Sequence, residues 1–302
     1  MDNIKIFAVV VSYNRLELLK QCLGKLLAQS RSINQIVVVD NNSSDGTQEW
    51  LKAWQSTDSS SSHIILNGEN SGGAGGFVLG MKYAVESGAD WIWMMDDDAL
   101  PLPDALGSLV KADLEASHVY GSLAVKGSDT AWVTTLLDED RAVNAVTEVP
   151  PKARVQSLPF LGFMIHRNLV EKIGYPDPGF FIAADDVEYC LRAQRVGADI
   201  YIVGRSLIEH PKSVRYKFGP LTCLSLPPWK RYYDTRNRLL IARKYYGFAL
   251  IYKTIPGSFL RLLAALVREP QKMRQVWAFI AGMVDGLLGK KGRRHEAWRI
   301  RV

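Results

Sequence analysis

The stretch "WIWMMDDDALP", Trp91 to Pro101, decides how this chain is read. Its apolar run of aromatic, β-branched and sulfur side chains has the length of a buried strand. It ends on three carboxylates, Asp96, Asp97 and Asp98. Like charges side by side repel unless something positive lies among them. Either the acids are a solvated loop that caps the next helix, or they form a metal and phosphate site at the carboxyl end of a sheet strand.

Upstream of these acids the same grammar recurs. "IKIFAVVVSYN", "QIVVVD" and "HIILN" are short apolar runs that read as strands. Between them lie helical patterns. After the first strand, Leu16, Leu19, Cys22, Leu23, Leu26 and Leu27 recur at helical period, and Asn14 with Glu17 has the spacing of a capping box. The turn "NNSSDGT" restarts a helix near Gln48, and "SGGAGG" leads into the helix "FVLGMKYAVESG". Four alternations of strand and helix predict an α/β fold, a mostly parallel twisted sheet flanked by helices. Such sheets bind ligands beyond the carboxyl ends of their strands. Downstream, "FLGFMIHR" and "ADIYIVG" read as strands and "DVEYCLRAQRVG" as a helix. From about Tyr232 the pattern is helical, basic and interrupted by Pro256 and Pro270; "STDSSSS" (Ser56–Ser62) reads as a surface loop.

Bulk properties narrow the class. The 302 residues are 47% hydrophobic and 23% charged, an ordinary globular composition. No uninterrupted apolar run reaches 18 residues, so no membrane-spanning helix is expected. Asp2 and the lack of a small-residue cleavage site make the N-terminus read as a strand, not a signal peptide. Three distant cysteines, Cys22, Cys190 and Cys223, suit a reducing compartment and match no metal-ligand spacing. The net charge of +6 is uneven: residues 201–302 carry 21 Lys and Arg against 5 Asp and Glu, and residues 1–200 carry 16 against 26. An acidic body with a basic tail region points to an anionic partner, a membrane surface or nucleic acid.

In a parallel sheet the strand ends share one rim. That rim gathers Ser12, Tyr13 and Asn14, then Asp40, then Asn67 and Asn70, then the three aspartates. The glycine run has Val78 where a dinucleotide fingerprint needs glycine, and it lacks the Lys-Ser/Thr of a phosphate loop. What it offers is close backbone approach to a ligand, with helix N–H groups behind it.

In this order, "VVVSYNR", "VVVDNNSSDGT", "ENSGGAGGF" and "WMMDDDALP" resemble glycosyltransferase family 2, inverting enzymes of nucleotide-diphosphosugar fold. The glycine stretch and triple aspartate are most similar to its rhamnosyltransferase and galactofuranosyltransferase branch. "FFIAADDVEYCLRAQRVG", "IEH" and "YYDTRNRLL" resemble that branch's later motifs, so the likeness spans residues 4–245. The resemblance implies a catalytic domain over 1–245 and a basic amphipathic helical region over 246–302. It implies that Asp40 accepts a hydrogen bond from a pyrimidine base flanked by Val11, Tyr13 and Arg15, and that Asn70 and Gly73 lie against ribose and diphosphate. Asp96 would serve the ribose or sugar side of the donor, with Asp97 among the donor-binding residues. Asp98, with Asp96 and His210, would hold a divalent cation, Mn2+ or Mg2+, because a diphosphate leaving group needs a hard cation and carboxylate oxygen is its natural ligand. The acids would then be tolerated because that cation arrives with the donor.

Asp185 and Asp186 open a helix. Bare physics reads them as favourable partners of the helix dipole, worth about 0.3–1 kcal/mol. The resemblance makes Asp186 the general base and Asp185 its orienter, with Glu188 structural. Trp229, Arg236 and Asn237 are motif-like without an assigned role, and "PPWKRYY" reads as a surface for sugar stacking or a membrane interface. The expected reaction moves rhamnose or galactofuranose from a UDP- or dTDP-linked donor to a glycan or lipid-linked glycan, in bacterial surface-polysaccharide synthesis. The expected setting is cytoplasmic, peripheral on the inner face of the membrane. The partner would be an anionic membrane surface and no nucleic acid, with a homo-oligomer possible. The rivals are a sugar nucleotidyltransferase, which would need a Gly-, Arg- and Lys-rich loop where "SYNRLE" stands, and a catalytically silent membrane-bound scaffold, which would have lost its aspartates.

Overall fold

The computed structural model describes residues 4–57, 61–210, 214–219 and 221–302. Asp2 and the middle of the serine-rich loop read at Ser56–Ser62 lie outside these residues. The chain divides into two compact units, Met1–Asp177 with Tyr189–Lys212, and Pro178–Glu188 with Ser213–Val302.

The first unit is built on a mixed sheet. Its elements in order are β1 (Ile6–Ser12), α1 (Leu16–Leu27), β2 (Gln35–Asp40), α2 (Thr47–Thr57), β3 (Ser62–Leu66), α3 (Gly72–Glu86), β4 (Trp91–Asp96), β5 (Leu100–Pro101) and α4 (Ala105–Val110). Then come β6 (Val119–Lys126), β7 (Asp129–Leu136), β8 (Arg141–Ala145), β9 (Ala153–Arg154), β10 (Leu161–His166) and α5 (Arg167–Ile173). Helix α6 (Asp185–Gln194), whose residues up to Glu188 are counted with the second unit, and strand β11 (Ile200–Glu209) follow. The strand order is β3-β2-β1-β4-β10-β6-β11-β5. Strands β1 to β4 pair in parallel, as do β6 and β11, while β10 runs antiparallel to both of its neighbours. The fold is therefore the α/β class expected, a mostly parallel sheet flanked by helices.

Alternation along each strand explains the continuous apolar runs. On β1, Phe7, Val9 and Val11 pack on one face with Phe77 and Met81 of α3. Ile6, Ala8 and Val10 pack on the other with Leu19, Cys22 and Leu23 of α1. Both faces are covered, so neither can be polar. In α1 the expected core face holds at Leu19, Cys22, Leu23 and Leu26, but Leu27 is 53% exposed.

The expected capping box at Asn14 is not formed. Asn14 takes a left-handed φ of 51° and stays in the turn, so the cap falls on Arg15. The free Leu16 N–H donates instead to Asp45 of the next loop at 3.0 Å, and Glu17 pairs with Lys20 at 2.7 Å. A second difference lies at β6 to β9, where the sequence pattern predicts no elements. Strand β6 is buried along all but its last residue, while β7 and β8 alternate weakly between buried and exposed positions, and the four pair antiparallel except where β6 meets β11.

The second unit contains the hairpin β12 (Arg215–Phe218) and β13 (Leu221–Leu224), then α7 (Pro228–Tyr245), a π-turn over Leu250–Thr254, α8 (Ile255–Arg268) and α9 (Lys272–Leu287). Helix α9 lies tight on α7 because of its glycines. A Cβ on Gly282 would meet the Tyr232 carbonyl, and one on Gly286 the Leu239 side chain. Tyr232 and Tyr233, read from sequence as a sugar or membrane surface, are fully buried here. Their hydroxyls face Asp285 at 2.6 Å and His295 at 2.8 Å, so "PPWKRYY" builds core.

One helical stretch, Leu250–Arg268, is long and apolar enough to cross a membrane by length and composition. Counting uninterrupted apolar runs misses it, because the π-turn and α8 form one continuous helix around Lys253 and Arg261.

Candidate active site

In the first unit the strand ends do form one rim. Ser12 stands opposite Asp40, and Val11 opposite Asp96. Asp40 is fully buried. Its Oδ2 accepts from the Ser43 N–H at 2.9 Å, while its buried Oδ1 has no hydrogen-bond partner among the described residues. Tyr13 stands 42% exposed beside it on the rim.

The three aspartates have three different surroundings. Asp97 is buried and ties the ends of β1 and β4 together, accepting from the Ser12 hydroxyl at 2.9 Å. Burial pushes its carboxyl up to about 6, against the pull of Arg15 and the Ser12 bond. Arg15 bridges the pair, with Nη1 at 3.2 Å from Asp97 Oδ1 and 2.8 Å from Asp98 Oδ2. So a protein cation already lies among the like charges. Asp98 feels burial too, but the His210 imidazole and then Arg15 outweigh it and hold its carboxyl below the usual range.

The pairing of β5 with β11 brings Asp98 to His210. Leu100 stands opposite Glu209, and the His210 N–H donates to the Val125 carbonyl of β6 at 3.0 Å. His210 Nε2 is then 3.6 Å from Asp98 Oδ1. Trp132 of β7 sits edge-on to the imidazole, with ring centroids 6.1 Å apart. Asp98 Oδ1 and His210 Nδ1 are both buried without a hydrogen bond among the described residues. Among those residues no three His, Cys, Asp or Glu side chains are gathered as a metal cluster. An unsatisfied carboxylate oxygen on Asp98 and an unsatisfied ring nitrogen on the neighbouring His210 are nevertheless donor types that a divalent cation takes, so these residues fit one.

The glycine turn is organised by asparagines. Asn70 Oδ1 accepts from the Gly72 N–H at 2.9 Å. Asn41 donates to the Gly72 carbonyl at 3.0 Å and accepts from Ser71 at 3.0 Å. A Cβ on Gly73 would meet nothing within 4 Å, so its backbone is open. Gly76 and Gly80 do something the sequence reading did not assign. A Cβ on either would strike Val11 or Val9 of β1, so these two glycines let α3 lie flat on the sheet.

In the second unit Asp185 and Asp186 open α6. Burial pushes both carboxyls above the ordinary range, and for Asp185 the neighbouring charge of Asp186 adds to it. Asp186 Oδ1 accepts from the Val187 N–H at 2.7 Å. The approach to them is strained: Phe181, Ala183 and Ala184 have φ of 64°, 70° and 61°. Such a run in non-glycine residues persists only when its surroundings hold it. Asn237 of α7 holds it, donating to the carbonyls of Phe180, Ile182 and Ala183 at 3.1, 2.9 and 2.7 Å. Arg236 adds bonds to Gly179 and Phe180 at 3.0 and 2.8 Å. Glu188 is buried and accepts from Lys244 at 2.7 Å and Tyr245 at 2.6 Å, the structural part expected of it.

This architecture defines the class: a nucleotide-sugar transferase fold. A crystal structure of GalNAc-T7 with UDP, GalNAc and Mn2+ superposes with a TM-score of 0.65 at 12% identity, over 99% of this chain and 59% of that one. Residues 7–175 match the model of glycosyl transferase family 2. A galactofuranosyltransferase GlfT1 of Mycobacterium tuberculosis is 31% identical over 77% of this chain and 80% of its own length. A dTDP-rhamnosyl transferase RfbF of Shigella flexneri is 25% identical over 96% and 98%. The chain belongs to glycosyl transferase family 2 and is a glycosyltransferase.

Proposed function

We propose that this enzyme transfers rhamnose or galactofuranose, with inversion, from a dTDP- or UDP-linked donor to a hydroxyl of a glycan or lipid-linked glycan of the bacterial surface. The observation that carries this reading is the set of unsatisfied buried atoms on the rim: Asp40 Oδ1, Asp98 Oδ1 and His210 Nδ1. Asp40 Oδ1 is the acceptor for the N–H of a pyrimidine base, which Val11, Tyr13 and Arg15 flank. Asn70 and Gly73 present backbone to ribose and diphosphate, and Asp96 serves the ribose or sugar side, with Asp97 among the donor-binding residues. Asp98 and His210, with Asp96, would hold Mn2+ or Mg2+. When bound, that cation neutralises charge on the leaving diphosphate.

Asp186 takes the proton of the acceptor hydroxyl, and Asp185 keeps it oriented. A sugar hydroxyl is a poor nucleophile until its proton leaves, and a carboxylate lifted above its ordinary pKa is the stronger base for that task. Related enzymes named for galactofuranose and for dTDP-rhamnose support the two sugars equally. The exposed apolar side chains of α8 and α9 support peripheral attachment to an anionic membrane surface on the cytoplasmic side. On α8, Phe259, Leu260, Leu263 and Val267 are exposed while Leu262, Ala264 and Ala265 are buried, the pattern of a helix lying in an interface.

The test is a panel of nucleotide sugars given to the purified full chain with Mn2+ or Mg2+, read as slow donor hydrolysis. Release of dTDP or UDP from a rhamnose or galactofuranose donor is expected. Hydrolysis confined to other donors refutes the sugar assignment, and no hydrolysis of any donor refutes the reading as a whole.

A further inference from the structure

Past α9 the second unit ends in "LGKKGRRHEAWRIRV", Leu288 to Val302. By composition this is a basic tail, with six Lys and Arg against one Glu. The helical pattern expected over 246–302 stops at Leu287, and the rest is a run of turns. Asp285 of α9 anchors it: Oδ2 accepts from Arg294 Nε and from Trp298 Nε1, each at 2.9 Å. The Trp298 carbonyl accepts from Trp277 Nε1 at 2.9 Å. His295 and Ile300 are buried, and Ile300 packs in one cluster with Phe181, Tyr232 and Tyr233. A chain end tied down at this many points is a strap across the unit, not a solvated tail.

The strap reaches the segment that leads to Asp185 and Asp186. The Gly292 N–H donates to the Gly179 carbonyl at 2.7 Å, and the Gly292 carbonyl accepts from Arg236 Nη1 at 2.6 Å. Through Nη2 the same guanidinium holds the carbonyls of Gly179 and Phe180, so one planar fork joins strap and segment. His295 acts through rings. Its Nδ1 lies 2.8 Å from the Tyr233 hydroxyl, and burial lowers the imidazole pKa, so the neutral ring accepts there. The Arg294 N–H donates to the same hydroxyl oxygen at 3.3 Å. Tyr233 stacks on Phe181 with ring centroids 5.0 Å apart, and the His295 ring lies tilted against Phe181 at 6.1 Å. Phe181 opens the left-handed run. Asn237 bonds carbonyls along that run, while the strap holds its first ring and the residue two places before it.

We propose that this strap is a positioning device for the carboxylate pair: Gly292 and His295 hold Gly179 and Phe181, and through them the left-handed run that delivers Asp185 and Asp186 to the start of α6. Non-glycine residues with positive φ persist only where their contacts over-determine them. Without the strap the run relaxes toward ordinary backbone, and the first turn of α6 moves with it. A reacting group displaced by about 1 Å costs roughly 10²-fold in rate, although no group that touches the donor has changed. The inference rests on the reading of Asp186 as the base. It gives the basic chain end a part in turnover instead of in attachment to an anionic surface.

Two measurements on the full chain test this: amide hydrogen exchange, and hydrolysis of the donor that the native chain turns over, in which water stands in for the acceptor hydroxyl. The variants are His295→Ala, His295→Asn, whose amide oxygen takes the place of Nδ1 as acceptor, and Gly292→Ala. Gly292 has a φ of 87° and a Cβ there meets nothing within 4 Å, so this change strains the strap's backbone without a clash and serves where His295→Ala fails to fold. His295→Ala and Gly292→Ala are expected to speed exchange at residues 179–188 by about 10-fold or more while β1 to β4 keep their protection. In both, kcat should fall about 10-fold or more with donor KM within about 2-fold of native, and His295→Asn should recover most of the loss. Arg301→Ala, at an exposed position of the same stretch, should match the native chain. Native exchange at 179–188 in both variants overturns the strap. Faster exchange with unchanged kcat overturns its positioning role, and so does protection lost equally from β1 to β4. A native chain that hydrolyses no donor refutes the glycosyl-transfer reading, and exchange confined to 179–188 would then still uphold the strap's hold on that segment.

Discussion

Asp98 stands between two neighbours: Arg15 on Oδ2 and the His210 imidazole near Oδ1. Asp98→Ala is expected to abolish metal-dependent donor binding while leaving the melting profile cooperative. Nucleotide-sugar titration with and without Mn2+ checks it, and undiminished binding in the variant refutes the metal assignment. Asp186→Asn keeps shape and one acceptor but cannot take a proton. Turnover should fall about 10²–10⁴-fold with donor affinity nearly unchanged. Because burial raises the pair, the acid limb of kcat should lie above the ordinary carboxylate range near about 4, with rate lost as pH falls through the raised pKa. The stability effect has the opposite sense. A carboxyl whose folded pKa is raised costs nothing below its unfolded pKa and destabilises progressively as pH climbs through the folded one. Asp185→Asn should therefore raise Tm at pH 9 and not at pH 4, by about 2–4 °C per kcal/mol recovered. Scanning calorimetry at the two pH values decides. The rim acids, His210 and the Asp185–Asp186 pair were legible as residue types at strand and helix ends. Arg15 as a partner of Asp97 and Asp98 was not, because it depends on the left-handed turn at Asn14.

Between Pro178 and Asp185 the chain approaches α6 through backbone that alanine and phenylalanine adopt only under constraint. Three hydrogen bonds from one amide, Asn237, supply that constraint. Asn237→Ala leaves the Ile182 and Ala183 carbonyls without that partner, at about 1–3 kcal/mol for a buried acceptor, while Phe180 keeps Arg236. A drop in Tm is expected together with a loss of kcat larger than any rise in donor KM, because what loosens is the segment leading to the proposed base, Asp186. Steady-state kinetics with a varied donor checks this, and a variant that loses only stability shows the clamp to be purely structural. "YYDTRNRLL" could be matched as a motif in sequence, but its work could not be read there. The partners lie over 50 residues away in the chain, and nothing local in Arg236 or Asn237 points to them. The strands β7 to β9 escaped for a related reason, since short antiparallel pieces with mixed burial leave neither a clean alternation nor a continuous apolar run, and β6, though buried along nearly its whole length, is interrupted in sequence by Gly121 and Ser122.

For the whole molecule, charge and exposed apolar surface belong to the same stretch of chain. Removing residues 246–302 would strip α9 from α7 and test folding more than attachment. Phe259→Ser/Leu263→Ser/Val267→Ser changes exposed positions only. Flotation with anionic vesicles should recover the native chain and lose the triple variant. Equal recovery of both refutes membrane attachment through α8, and a coincident fall in oligomer mass by light scattering would assign the stripe to self-association instead. The basic excess after residue 200 is legible from composition alone, and it is what raises the expectation of an anionic partner. The exposed stripe did not show there, since sequence periodicity cannot distinguish a helix face that is covered from one that is bare.

The route of the chain also sets an order of events on the ribosome. Strand β11 lies between β6 and β5, yet it is synthesised after a segment, Pro178–Glu188, that belongs to the other unit. At about 5–20 residues per second, roughly 10–40 s separate the emergence of β1 from that of β11. For the last roughly 4–16 s of that interval, from its own emergence to that of β11, β6 keeps an open edge, the kind of surface that recruits other chains. A nascent product stalled at residue 199 is expected to pellet or to be captured by chaperones, while one stalled beyond the end of β11 should resist protease across its sheet. Pulse proteolysis of arrested chains would show it. Expression yield should then depend more on elongation speed through residues 126–200 than on the stability of the finished enzyme.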